Sequence, residues 1–234
     1  MKYKTLVKKL NLSDQDFEKI KDAVAKVEAK TTGEIALAAT AESSSYNFWE
    51  LLAANCFAAV VLIVMLPFAD KILALYRRLY WQNEPSWILP LFFIISCFIA
   101  VAIGFYLGNI PALDRIVIPP RVRRSCVTNR ALRYFTECGI YDTAEHSGIL
   151  IFVSYMERQV RIIADSGIAK KISQDLWNLI ADELAENIRK GETVLAFTTA
   201  IEKCGELLAE NFPPHEENPN EFPDGLVILE DAEW

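Results

Sequence analysis

Two windows of this chain, Leu51 to Ala69 and Trp87 to Ile110, contain no Asp, Glu, Lys, Arg or His. An α-helix rises about 1.5 Å per residue, so about 20 residues cross the ~30 Å hydrocarbon core of a bilayer, and both windows reach that length. Uninterrupted apolar stretches this long are rare in small soluble domains, whose helices keep a polar face. Aromatic residues gather at the edges: Phe48 and Trp49 before the first window, Tyr76, Tyr80 and Trp81 between the two, Trp87 and Tyr106 at the ends of the second. Belts of this kind sit at headgroup level. The pattern predicts a transmembrane helical hairpin at 47–110, with helices at about 48–69 and 87–110. Mean hydropathy is +0.17, yet 24% of the residues are charged, so the rest of the chain has the charge content of a soluble domain.

Met1 to Leu12 is basic but has neither the apolar stretch nor the small-residue cleavage site of a signal peptide, so the first apolar helix is expected to act as its own insertion signal. No Lys or Arg lies between Thr31 and Glu50, three (Lys71, Arg77, Arg78) lie between the windows, and five (Arg115, Arg121, Arg123, Arg124, Arg130) follow the second within about 20 residues. On the positive-inside rule this balance predicts a two-span protein of the plasma (inner) membrane with both termini and the soluble part in the cytoplasm. The five cysteines form no CxxC pair, which fits a reducing compartment. Ala54 and Ala58 in the first window, and Ala100, Gly104 and Gly108 in the second, are small residues four apart. That spacing lets helices approach closely, within the hairpin or against a second copy or another membrane protein. No ionisable group within either window is suited to a proton relay or ion path, which argues against a transporter or channel.

On either side of the hairpin the pattern is α/β. Ser13 and Asp16 suit a helix start, and Phe17, Ile20, Val24 and Val27 recur on one face. Gly33 breaks that helix and "EIALAAT" follows as a strand. After Pro119 and Pro120, "RVRRSCVTNRALRYFTEC" reads as a basic helix stopped by Gly139. Ile149 to Tyr155 and Gln159 to Asp165 are β-rich runs joined by Met156 to Arg158, the signature of a β-hairpin. Two amphipathic helices follow, one with Trp177, Ile180, Leu184 and Ile188 on its apolar face, the other with Val194, Phe197, Ile201, Cys204 and Leu208. Neither flank can bury its apolar surface alone. Residues 1–46 and 111–212 are therefore expected to form one split domain of about 150 residues, followed by an acidic, Pro-rich tail at 213–234 in which "GLVILE" is able to add a short strand.

The order of these elements, with "KTTGEIALAAT", "SGILIFVSYMERQVRIIADSGI", "LWNLIADELAENIRKG" and "AIEKCGELLAENFPP", resembles the TPM domain. It is most similar to a bacterial membrane subgroup that carries a transmembrane hairpin inside the domain; the wider family includes thylakoid photosystem repair proteins and a nematode receptor modulator. The resemblance implies a three-layer α/β/α sandwich with a small mixed sheet. It also implies a link to calcium or other divalent ions through acidic loop residues, and to the acid phosphatase activity of some thylakoid members. A segment like "NEFPD" (Asn220 to Asp224) recurs after the last helix in that subgroup.

Glu34 opens the first strand, Asp165 follows the last strand of the hairpin, and Glu157 lies at its tip, so these three carboxylates are the candidate ligands for a hard divalent cation such as Ca or Mg. Read structurally instead, Glu34 pairs locally, Asp165 stops a strand and Glu157 is a turn residue. His146 stands where many relatives of the resembled family have an acidic residue, which removes one ligand oxygen. His215 lies in the polar tail. There is no GxxxxGK[ST], GxGxxG, GxSxG or HExxH motif. Nucleic acid is argued against by a net charge of −7, and Arg115, Arg121, Arg123 and Arg124 are expected to rest on anionic headgroups. Two readings follow. The first is a membrane-anchored, non-catalytic interaction, assembly or maintenance factor for a membrane protein complex, with lipid and another membrane protein or itself as partners. The second is a divalent-metal-assisted phosphatase using Glu34 and Asp165.

Overall fold

A computed structural model of the protein describes residues 3–80, 85–108, 110–143, 145–214, 222 and 224–229. In chain order its elements are α1 (Tyr3–Leu10), α2 (Asp14–Glu28), β1 (Glu34–Thr40), α3 (Asn47–Met65), a 3₁₀ turn (Leu66–Phe68), α4 (Ala69–Tyr80) and α5 (Ile88–Gly108). Then come α6 (Pro111–Val117), α7 (Pro120–Glu137), β2 (Gly148–Ser154), β3 (Gln159–Ala164), α8 (Ser166–Ala169), α9 (Gln174–Lys190), α10 (Thr193–Asn211) and β4 (Leu226–Leu229). The chain divides into two compact units, residues 1–45 with 121–234, and residues 46–120.

The first unit is a sandwich around a four-stranded mixed sheet of order β3-β2-β1-β4. β1 pairs parallel with β2 from Glu34 opposite Gly148 to Thr40 opposite Ser154, and β2 pairs antiparallel with β3. β4 pairs parallel with the second half of β1, Leu37 opposite Leu226 to Thr40 opposite Leu229. Successive strand side chains point to opposite faces. Ile35, Leu37, Ile149, Ile151 and Ile162 accordingly meet α2, α9 and α10 on one side. On the other, Ala38, Leu150 and Phe152 meet Val127, Ala131 and Phe135 of α7. β2 is buried along its whole length, as a strand covered on both faces must be. Full burial of each large aliphatic or aromatic side chain here contributes about 1.5–3 kcal/mol.

Local signals explain the helix ends. The Ser13 amide and hydroxyl both donate to Asp16 Oδ2 (3.0 and 2.7 Å), closing the first turn of α2. Gly191 ends α9 in the left-handed region, φ +88°. Ser173 holds the position before α9, but its hydroxyl makes no capping bond. α2 and α10 pack unusually closely, because a Cβ at Gly205 would lie 2.3 Å from Val27 Cγ1.

The second unit is the apolar helix pair. α3 packs along α5, with Ala54, Ala58, Ala100 and Gly108 buried. A Cβ at Gly104 would stand 2.9 Å from Ala54 Cα, and one at Gly108 would meet Glu50 Cβ at 3.5 Å. α3 with its extension to Leu79, and α5, are each long and apolar enough to cross a membrane.

Three features differ from the sequence reading. Residues 70–80, expected as connection, belong to α4, an amphipathic helix after the Pro67 turn. Residues 111–117, also expected as connection, form α6, and the basic segment Tyr3–Leu10 is helical because Leu6 and Leu10 bury one face. In the tail, Leu226–Leu229 forms the short strand that "GLVILE" allowed and pairs with the open edge of β1. Trp81 and His215 lie outside the described residues, as do Asn220, Glu221 and Pro223 of the "NEFPD" segment.

Candidate functional site

β1 and β2 run parallel and begin at the same edge, so whatever precedes them is gathered there. Glu34 is the first residue of β1 and is 2% exposed. Its amide donates to Ser147 O at 3.2 Å, and its register partner is Gly148. Asp165 arrives at the same edge because β3 returns antiparallel, and its amide donates to Gly148 O at 2.9 Å. Asp165 Oδ1 accepts from the Ser166 amide at 2.5 Å, and Oδ2 lies 3.2 Å from His146 Nδ1. Glu34 and Asp165 therefore stand on either side of one glycine.

This edge is acidic and tied by hydrogen bonds. The Thr32 hydroxyl donates to Glu145 at 2.8 Å, the Ser147 hydroxyl donates to Thr32 O at 2.8 Å, and the Ser147 amide donates to the Thr143 hydroxyl at 2.9 Å. His146 adopts φ +52°, in the left-handed region that favours Gly or Asn. Glu28, the last residue of α2, accepts the Ile35 amide at 2.8 Å. Burial pushes its carboxyl up to about 8, opposed by the Ile35 hydrogen bond and assisted by the charges of Glu34 and Asp224 and a hydrogen bond to Asp224. At neutral pH Glu28 is thereby held neutral beside Glu34 and Asp224.

Glu157 lies at the opposite edge. Strands of seven residues at about 3.3 Å each put ~20 Å between the ends, so Glu157 does not join Glu34 and Asp165 in one ion site. Its carboxylate accepts from the Ser43 amide at 2.9 Å and from the Ser154 hydroxyl at 2.5 Å, and the two serine hydroxyls are 2.7 Å apart. The Tyr155 and Met156 amides donate to Thr40 O and Ala41 O. Glu157, 2% exposed, binds the segment after β1 to the β2–β3 turn just before the chain enters the apolar helices. Open sheets take ligands beyond the carboxyl ends of parallel strands, and here this clamp fills that place. Among the described residues no group of three His, Cys, Asp or Glu side chains is placed to hold a metal ion.

Sequence reasoning did not find Glu28, Glu145, Asp224 or the Ser43–Ser154 pair. Glu28 left one signal: it lies four residues after Val24, on the apolar face of α2. Cys204 is fully buried, and burial pushes its thiol up to about 12, so it is not a nucleophile at neutral pH.

A sandwich of this topology, split by an apolar helix pair, matches what the sequence resemblance implied. Residues 115–207 match the family model of the TPM domain. Over those residues the chain is similar to the TPM domain, and its mixed α/β fold is consistent with the TPM fold. Among solved structures it is similar to the BA42 protein from the psychrophilic bacterium Bizionia argentinensis, determined by NMR, with a TM-score of 0.53 and 17% identity over 93% of this chain and 95% of that one. No curated protein matches the chain.

Proposed function

We propose that this chain is a membrane-anchored TPM-domain protein whose sandwich is a non-catalytic interaction module, helping to assemble or maintain a membrane protein complex. The observation that carries this reading is the apolar helix pair inserted between β1 and the rest of the sandwich. Its outward faces leave Ile63 66% and Phe98 73% exposed, a surface suited to lipid or to another membrane helix. Crosslinking of the full chain in intact membranes is expected to give discrete higher-mass species. A uniformly monomeric chain at native abundance would reject the reading.

In this reading both termini and the sandwich face the cytoplasm of a plasma (inner) membrane, supported by the arginines after the second helix. With the native thiols replaced, a membrane-impermeant maleimide should label Ser86→Cys in intact cells and spare Lys190→Cys. The reverse pattern would move the sandwich to the other side.

A second reading, divalent-metal-assisted phosphatase, draws on Glu34 and Asp165 flanking Gly148 beside Glu145. Two carboxylates at one edge suit a Ca or Mg ion. It predicts phosphate release from a generic phosphomonoester that requires added magnesium or calcium and is abolished by Asp165→Asn at unchanged thermal stability. Release that survives Asp165→Asn would reject it.

A further inference from the structure

α3 is 19 residues long, about 28 Å, which already matches the ~30 Å hydrocarbon core. The helical run continues through the Pro67 turn to Leu79, 33 residues in all, so α4 lies at the level of the headgroups if α3 spans. α4 is built for that level. Phe68, Ile72, Leu75 and Leu79 fall on one face at spacings of four, three and four, and Leu75 and Leu79 are 58% and 65% exposed. Lys71 and Arg78 border this stripe, and Lys71 Nζ stands 5.2 Å from the Phe68 ring centre. Asp70 is the only acidic residue of the helix. A helix with an apolar face and basic borders lies in the membrane interface, where lysine and arginine stems reach up to phosphates.

α4 also diverges from α5. Between them is a wedge of about 270 Å³ whose walls include Ile72, Tyr76 and Leu79 on one side and Ile88, Phe92 and Ile95 on the other. Left to water, these side chains would lose the transfer energy of about 0.8 kcal/mol per buried CH₂.

We propose that α4 and the first turns of α5 seat an anionic phospholipid, with one acyl chain in the wedge and its headgroup phosphate on Lys71 and Arg78. The occupant is a lipid because the wedge is apolar while Lys71 and Arg78 directly precede its wall residues Ile72 and Leu79, so that cations adjoin an apolar seat in the order of a phospholipid's head and tail. Acidic lipid is preferred because each cation near such a surface contributes about 1 kcal/mol. This inference rests on α3 and α5 spanning a membrane, and the test separates the two.

The full chain, with native cysteines replaced, would carry a fluorophore on a single cysteine at Leu79 or at Val60, and be reconstituted in equal parts phosphatidylcholine and phosphatidylglycerol with one lipid brominated at a time. Val60, 57% exposed in the middle of α3, reports insertion alone. At Leu79, brominated phosphatidylglycerol should quench at least about threefold more than brominated phosphatidylcholine, and the Lys71→Glu, Arg78→Glu double variant should bring that ratio to unity. At Val60 both lipids should quench equally in both chains. Equal quenching at Leu79 in the native chain would overturn lipid selectivity. Loss of all quenching at Leu79 with Val60 still quenched would overturn the seat and leave the membrane span standing. No quenching at Val60 would overturn both.

Discussion

Glu28 is a carboxyl that the fold keeps neutral. Its ordinary value of 4.5 is raised to about 8 by burial first, with the charges of Glu34 and Asp224 adding to the effect. Between those two pH values the folded chain holds a proton that the unfolded chain has released. The stability of the neutral form is therefore fully present below about 4.5 and is lost as pH rises through about 8. Glu28→Gln keeps an acceptor for the Ile35 amide and a donor for Asp224 without an ionisable proton. Thermal unfolding of the detergent-solubilised chain should show the native protein losing about 3–5 kcal/mol relative to this variant between acidic and alkaline pH. Parallel pH profiles would reject the assignment. Glu157 differs because its carboxylate receives the Ser43 amide and the Ser154 hydroxyl. Glu157→Ala would leave those donors buried and unmatched, for an expected loss of about 2–4 kcal/mol in denaturant unfolding. That residue's acidity was legible in the sequence, but its partner Ser43, 114 positions away, was not.

At the level of elements, the small residues of the helix pair and the late strand carry the clearest expectations. Gly104 faces Ala54 so closely that Gly104→Leu must push α3 and α5 apart, with an expected destabilisation of about 1–3 kcal/mol in a helix-separation measurement by paired fluorophores. An unaltered separation would assign Gly104 to a surface outside the pair. β4 has four residues and no strong local signal, yet it covers half of β1. Ending the chain at Asp224 should raise amide exchange in Leu37–Thr40 by about tenfold or more and leave β3, at the other edge of the sheet, little changed. Uniform protection in both chains would mean that β4 contributes no edge bonds in solution. The amphipathic helices α2, α9 and α10 were readable from their 3.6-residue period, whereas α4 was obscured by its position directly after an apolar window.

For the whole molecule, the unit formed by residues 1–45 and 121–234 has its own core, as Ile35 and Leu37 from the first segment pack with Ile149, Ile151 and Phe197 from the second. Joining residue 45 to residue 121 through a short Gly/Ser linker should give a soluble monomer with one cooperative unfolding transition, while 121–234 alone should lack one. A sharp transition from 121–234 alone would show that β1 is dispensable to the core. Composition and period determined the two apolar helices, the amphipathic faces and the β2–β3 hairpin, because each is set by residues within one element or one turn. The tertiary structure alone decided that β4 completes the sheet, that Glu28, Glu34 and Asp224 share one edge, and that Glu157 belongs to the other. Those outcomes depend on strand order and direction, and a parallel sheet joins residues far apart in the chain through contacts that leave no periodic trace in either segment.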